Sequence, residues 1–183
     1  FFDVALNTIL ADIKEDLAEF RVHFDMWFSE LELEESGAVQ RAIERLRRNG
    51  HLYVKDGATW FRASALGDEK DRVVIRENGR TTYFASDIAY FLNKLERGFD
   101  RAIYVWGADH QGHVPRMRHM MQALGLDPDR LTLVLYQLVT LKRGGEMVRL
   151  SKRTGDMITL REVLEEVGAD AMRYFLLSRS ADS

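Results

Sequence analysis

The chain has no cysteine among its 183 residues, so neither a disulfide framework nor a thiolate zinc site can be built. No apolar run approaches the roughly 18 residues that a membrane-spanning helix needs, and no signal-peptide pattern opens the sequence. An excess of positive charge is also missing. The formal net charge is -3, whereas a protein held on RNA by bulk electrostatics would be basic. Anion chemistry must therefore come from a local site. Charge is unevenly spread: residues 1–50 carry 6 Lys/Arg against 11 Asp/Glu, the remainder 20 against 18. With 46% hydrophobic and 30% charged residues the chain can build a core, and a cytoplasmic protein is the expectation. The sequence opens on Phe1-Phe2 rather than Met, which sets the expectation of a piece cut from something longer.

Periodicity organises the rest. Phe2, Leu6, Ile9, Leu10, Ile13, Leu17 and Phe20 form one helical stripe. Phe24 to Phe28 reads as a short strand, and Ser36 as the N-cap of a helix that ends near Asn49-Gly50. Leu52–Lys55, Thr59–Arg62 and Arg72–Arg76 are β-prone runs separated by turn dipeptides, which predicts a small antiparallel patch. After Arg80 the character changes. Thr81–Ala85 is β-prone, and a helix from about Asp87 to Arg97 closes at Gly98. A strand Arg101–Trp106, a helix Val114–Leu124 with Pro115 in its first turn, and a strand Leu131–Val139 make a βαβ unit. Thr159-Leu160-Arg161-Glu162 is a capping box for a helix that Gly168 closes, and a last helix follows.

Three stretches can carry chemistry. Gly107-Ala108-Asp109-His110-Gln111-Gly112-His113 follows a strand end, where open α/β sheets bind ligands. Asp109 can accept hydrogen bonds from both hydroxyls of a ribose, and His110 and His113 can donate to phosphate or stack on a base. The same residues also serve as an ordinary βα turn, or as imidazole and carboxylate metal ligands that lack a third strong partner nearby. Lys142 to Gly155 holds five basic residues and one acid between positions 142 and 153, with Gly144, Gly145 and Gly155 for mobility. That composition suits a closing phosphate clamp as well as a solvated turn. It does not have the order of residues of a Walker P-loop. In Tyr83-Phe84-Ala85-Ser86-Asp87 the Tyr and the Asp can face one pocket, or Asp87 can simply cap a helix.

Taken in order, these segments resemble class I aminoacyl-tRNA synthetases, specifically the arginyl-tRNA synthetase family. Arg149-Leu150-Ser151-Lys152-Arg153 resembles the Lys-Met-Ser-Lys-Ser signature, departing at its first, second and fifth positions. Trp106-Gly107-Ala108-Asp109 resembles the Gly-x-Asp ribose-binding element. Thr82 to Tyr90 resembles the arginine-binding segment, with Tyr and Asp four apart. The likeness spans essentially the whole chain.

The resemblance implies a partial Rossmann-like α/β nucleotide-binding fold of the class I synthetase type. Residues 1–80 would form a helical region with a small antiparallel β insertion, and residues 81–183 the second half of the catalytic domain. It implies that arginine attacks the α-phosphorus of ATP and that the arginyl group passes to tRNA(Arg). Asp87, Tyr83 and His110 would contact arginine. Gly107, Asp109, His110, His113 and Lys152 would hold ATP. Lys152, with Ser151 and Arg153, would act catalytically on the pyrophosphate leaving group. Mg2+ would come with ATP, and no tightly bound protein metal, membrane or DNA is implied. The family's His-Ile-Gly-His signature and its anticodon-binding helical domain have no match here, so the 183 residues alone are expected to be inactive. Another class I synthetase, a nucleotidyltransferase, or a non-catalytic synthetase-like module binding tRNA or a protein partner stays open at this point.

Overall fold

A computed structural model describes residues 1–147 and 158–180. The chain divides into two units, residues 28–136 and residues 1–27 with the described residues from 137 onward. The change of character at residue 80 falls inside the first of these.

In residues 28–136, a short helix α1 (Glu30–Glu35) leads into α2 (Ala38–Arg48) through Gly37, whose φ of 69° supplies the left-handed turn between them. Ser36 therefore ends α1 instead of capping α2 from its side chain, a correction to the sequence reading. Val39, Ala42, Ile43 and Leu46 form the buried stripe of α2. Strands β1 (Leu52–Lys55), β2 (Ala58–Phe61) and β3 (Arg72–Ile75) form the expected antiparallel sheet in the order β1-β2-β3.

The next helix, α3, spans Tyr83–Glu96. The β-prone residues 81–85 were expected to be extended, yet only Thr81 pairs with Ile75, and the helix starts at Tyr83. Thr82 caps the junction: its hydroxyl donates to the Val73 carbonyl at 2.9 Å and its amide to the Val74 carbonyl at 3.0 Å. Propensity loses here because Phe84, Ala85, Ile88, Ala89, Phe91 and Leu92 can all be buried on one helical face.

Strand β4 (Ala102–Gly107), helix α4 (Val114–Ala123) and strand β5 (Leu131–Tyr136) complete the βαβ unit, with β4 and β5 parallel and Ala102 opposite Leu131. The predicted second strand stops at Tyr136 because its partner Gly107 is the last residue of β4. Arg45 of α2 donates to the Leu124 carbonyl through Nε and Nη2 at 3.1 and 2.8 Å, and Asn49 donates to the Ala123 carbonyl at 2.8 Å. These bonds satisfy carbonyls that the end of α4 would otherwise leave orphaned. Tyr104 and Trp106 turn toward the core, whereas Ile103 and Val105 are exposed on the other face of the sheet. The fold class is the mixed α/β arrangement that was expected.

In the other unit, helix α5 (Phe2–Glu19) has no buried residue. Phe24 to Phe28 forms no strand; Phe24 and Trp27 instead meet edge to face at 5.3 Å. Strands β6 (Lys142–Arg143) and β7 (Glu146–Met147) make a hairpin whose Gly144 and Gly145 both take positive φ, as a two-residue turn of the primed type needs. Helix α6 (Leu160–Leu177) starts at the predicted capping box: the Thr159 hydroxyl accepts from the Glu162 amide at 3.2 Å, and the Glu162 carboxylate accepts from the Thr159 amide at 2.6 Å. Gly168 takes a non-helical φ of 79° and ψ of 157° within this span and, as expected, separates a first helix from a last one. Arg161 pairs with Asp16 of α5, and Arg143 with Glu166. No helix among the described residues is long and apolar enough to cross a membrane.

Candidate functional site

Two features of residues 28–136 converge at the C-terminal ends of β4 and β5. One is the loop that leaves β4. Gly107 has an ordinary extended backbone (φ -63°, ψ 151°), so it is not required for conformational freedom. Its lack of a side chain instead leaves room for a carboxylate: a Cβ there would lie 2.6 Å from Asp109 Oδ1. The Asp109 carboxylate thus folds back over the glycine. It lies 3.7 Å from His110 Nε2, and both side chains are exposed. Residues 108–113 form a 3-10 turn, which brings His110 and His113 together with their rings 5.4 Å apart. Trp106 lies 5.9 Å from the first ring and 6.4 Å from the second. The result is a small aromatic wall beside an open carboxylate. Burial, then the Arg116 guanidinium, push the His113 imidazole below its ordinary value, so it is neutral at physiological pH.

The other feature is the exposed face of α3. Tyr83 and Asp87 are four residues apart in one helix and share a face. Tyr83 is 79% exposed, which leaves its ring available. Asp87 is not a helix cap: it stands in the second turn. The residue is open to solvent, yet its carboxylate makes no ion pair or hydrogen bond among the described residues. Partial loss of hydration, followed by the nearby charge of Glu30, raises this carboxyl above its usual range, against Arg116, Lys94 and His110. That His110 acts on Asp87 puts the two features in one electrostatic neighbourhood. An unpaired, destabilised carboxylate is what a bound cation would relieve.

Several neighbours of Asp87 were not singled out in the sequence. Arg116 lies on α4, with its guanidinium 5.5 Å from the centroid of the Phe84 ring. Lys94, seven residues beyond Asp87 on α3, donates to the Tyr104 hydroxyl of β4 at 2.9 Å. Only the Lys94 position was legible, since a seven-residue step returns to the same helical face. Supporting the region, the side chain of Asp68 is 6% exposed and accepts from Arg72 Nη2 at 3.0 Å, with His119 Nδ1 3.6 Å away. Burial works to raise the Asp68 carboxyl, but the Lys70 amide and Arg72 hold it below its ordinary value.

Ser151, Lys152 and Arg153 lie outside the described residues. Among the described residues no group of three or more His, Asp or Glu is arranged to hold a metal ion, which leaves Asp109, His110 and His113 without a metal-site geometry.

A parallel βαβ unit with a glycine-aspartate loop at its strand ends, beside a helix bearing an open carboxylate, is an α/β arrangement of the class I synthetase kind. Residues 6–178 match the family model described as tRNA synthetases class I (R), catalytic domain, and the chain belongs to that family. It is 59% identical over 181 residues to an arginine–tRNA ligase of Thioalkalivibrio sulfidiphilus (strain HL-EbGR7), covering 99% of this chain and 31% of that protein. It is 56% identical over 181 residues to an arginine–tRNA ligase of Hydrogenovibrio crunogenus (strain DSM 25203 / XCL-2), covering 99% and 31%. A structure described as an arginyl-tRNA synthetase from Campylobacter jejuni superposes with a TM-score of 0.92 at 39% identity, covering 99% of this chain and 39% of that one. The arginyl-tRNA synthetase of Thermus thermophilus, at 20% identity and a TM-score of 0.75, covers 90% and 33% and shares the fold. The chain spans about a third of the length of the curated relatives it matches.

Proposed function

We propose that this chain supplies the arginine-recognition face and part of the ATP site of an arginine–tRNA ligase. The observation that carries this reading is the carboxylate of Asp87, without an ion pair or hydrogen bond among the described residues, one helical turn from Tyr83 and within the electrostatic reach of His110. A guanidinium is planar, permanently charged and forked, and a carboxylate matches it with two parallel hydrogen bonds. Tyr83 packs on the substrate or hydrogen-bonds it from the same helical face, and His110 adds a further contact. Asp109, seated over Gly107, takes the ribose hydroxyls of ATP, and His113 lines the same pocket. Lys152, with Ser151 and Arg153, stabilises the pyrophosphate as it leaves.

In the reaction an oxygen of the arginine carboxylate attacks the α-phosphorus of ATP, and the bond to the β-phosphate oxygen breaks. The arginyl group then passes from the adenylate to the 3′-terminal adenosine of tRNA(Arg), and AMP leaves. Mg2+ arrives with ATP. The chain's own contribution is positioning and charge stabilisation without a covalent enzyme intermediate. Within this scheme residues 1–80 form a helical and small β region, and residues 81–183 carry the chemistry. The enzyme works in the cytoplasm, with neither membrane nor DNA as a partner.

The test is arginine-dependent exchange of pyrophosphate into ATP by the intact protein in the presence of tRNA(Arg). Exchange with arginine and not with lysine or glutamine is the expected result, and exchange driven by another amino acid overturns the reading. The 183-residue chain alone is expected to charge no tRNA.

A further inference from the structure

Five of the six residues in the turn after β4 are exposed, so little in the turn itself fixes its side chains. Neither His110 nor His113 hydrogen-bonds another group among the described residues. Beyond the 3.7 Å approach of Asp109 to His110, ring contacts place the two imidazoles. Trp106 supplies the contact common to both. Its ring lies 5.9 Å from that of His110 at a tilt of 45°, and 6.4 Å from that of His113, edge to face at 86°. The indole is itself fixed from behind. It meets the Tyr104 ring edge to face at 5.4 Å and 83°, and packs against the core. Tyr104 is held at its hydroxyl by the Lys94 ammonium at 2.9 Å, and its ring lies 6.4 Å from that of the fully buried Phe91. The backbone of Trp106 sits in the parallel ladder opposite Leu135. The strand residue, with two side-chain torsions and a packed rear face, is the rigid member of the group, and the open turn is the adaptable one.

We propose that Trp106 is a positioning residue of the adenylating site: it braces His110 and His113, so that one strand residue sets the arginine contact of the first and the ATP contact of the second. This rests on the reading of His110 as an arginine contact and of His113 as part of the ATP pocket. Trp106 acts on the substrates only through the imidazoles. Tilted and edge-to-face ring pairs have preferred geometries, and removal of the indole frees each imidazole to swing into solvent. The first cause that holds the His113 imidazole below its ordinary value is burial, which a ring laid against it supplies.

The experiment is a pair of double-mutant cycles in the intact protein, read as KM values for ATP and arginine in pyrophosphate exchange with tRNA(Arg) present. Trp106→Leu keeps apolar bulk against Tyr104. It is expected to raise each KM by about two- to tenfold, the range that one aromatic contact is worth, and to leave kcat within about twofold. Trp106→Phe keeps a ring and recovers most of the loss. The rise in ATP KM disappears when His113 is already alanine, and the rise in arginine KM disappears when His110 is. Thermal melts run alongside, and where Trp106→Leu unfolds, Trp106→Met takes its place with the same expected outcomes. Unchanged KM values in the folded variant overturn the proposal and leave the histidine reading standing. A rise that persists undiminished in the His113→Ala and His110→Ala backgrounds does the same, because the indole then acts directly or through the fold. Should His113→Ala leave the ATP KM unchanged and His110→Ala leave the arginine KM unchanged, both the proposal and the histidine reading are overturned.

Discussion

Replacing Gly107 by alanine separates the role of this residue in the site from any role in the fold. The backbone angles of -63° and 151° are open to alanine, so folding stability is expected to stay within about 0.5 kcal/mol. The added Cβ would sit 2.6 Å from Asp109 Oδ1, closer than such atoms approach, whereas Tyr136 Oη at 3.9 Å is in ordinary contact. Asp109 is exposed and short, so its carboxylate swings away at little cost. That movement takes it off the ribose hydroxyls. A hydrogen bond to a charged group contributes about 1.5–3 kcal/mol, and loss of one at about 2 kcal/mol corresponds to a roughly thirtyfold rise in the KM for ATP. The assay is pyrophosphate exchange by the intact protein over a range of ATP concentrations, paired with a thermal melt. Arginine KM is expected to change little. An ATP KM within twofold of the unaltered value, with the fold intact, refutes the assignment of Asp109 to the ribose.

Asp68→Asn leaves Arg72 without its buried partner and is expected to destabilise the chain by about 3 kcal/mol in chemical denaturation. Because the Asp68 carboxyl is held below its ordinary value, its contribution is present above the unfolded pKa and lost as pH falls through the folded one. Stability measured from pH 6 down to pH 3 should therefore fall less steeply in the variant. Gly168→Ala meets open space but forces a side chain onto φ 79° and ψ 157°, a cost of about 1–3 kcal/mol read in thermal melts. Lys152→Ala in the intact protein should lower the exchange rate far more than arginine affinity, and equal loss of both would count against a transition-state role.

Much of the local structure was legible in the sequence. The β1–β3 patch, the βαβ unit and the capping box at Thr159 follow from short-range patterns and are present. Two β readings failed for one reason. Thr81–Ala85 and Phe24–Phe28 are rich in residues that suit strands, but strand identity needs a partner edge. The first stretch has one bridge to Ile75 and buries Phe84 and Ala85 by turning helical. The aromatics of the second pack as rings, Phe28 on Tyr90 and Phe24 on Trp27. In the candidate site, Tyr83, Asp87 and the loop from Gly107 to His113 could be singled out because each group is local in sequence. Arg116 and Tyr104 were not, since only the packing of α4 and β4 against α3 brings their charge and hydroxyl to Asp87 and Lys94.

The most direct test of the central claim compares arginine with citrulline, which has the same length and shape but carries a neutral urea in place of the guanidinium. The intact protein should bind arginine far more tightly, and Asp87→Asn should shrink that preference by about a hundredfold, the loss of one charge-assisted forked contact worth roughly 3 kcal/mol. A preference that survives the substitution unchanged would contradict the account.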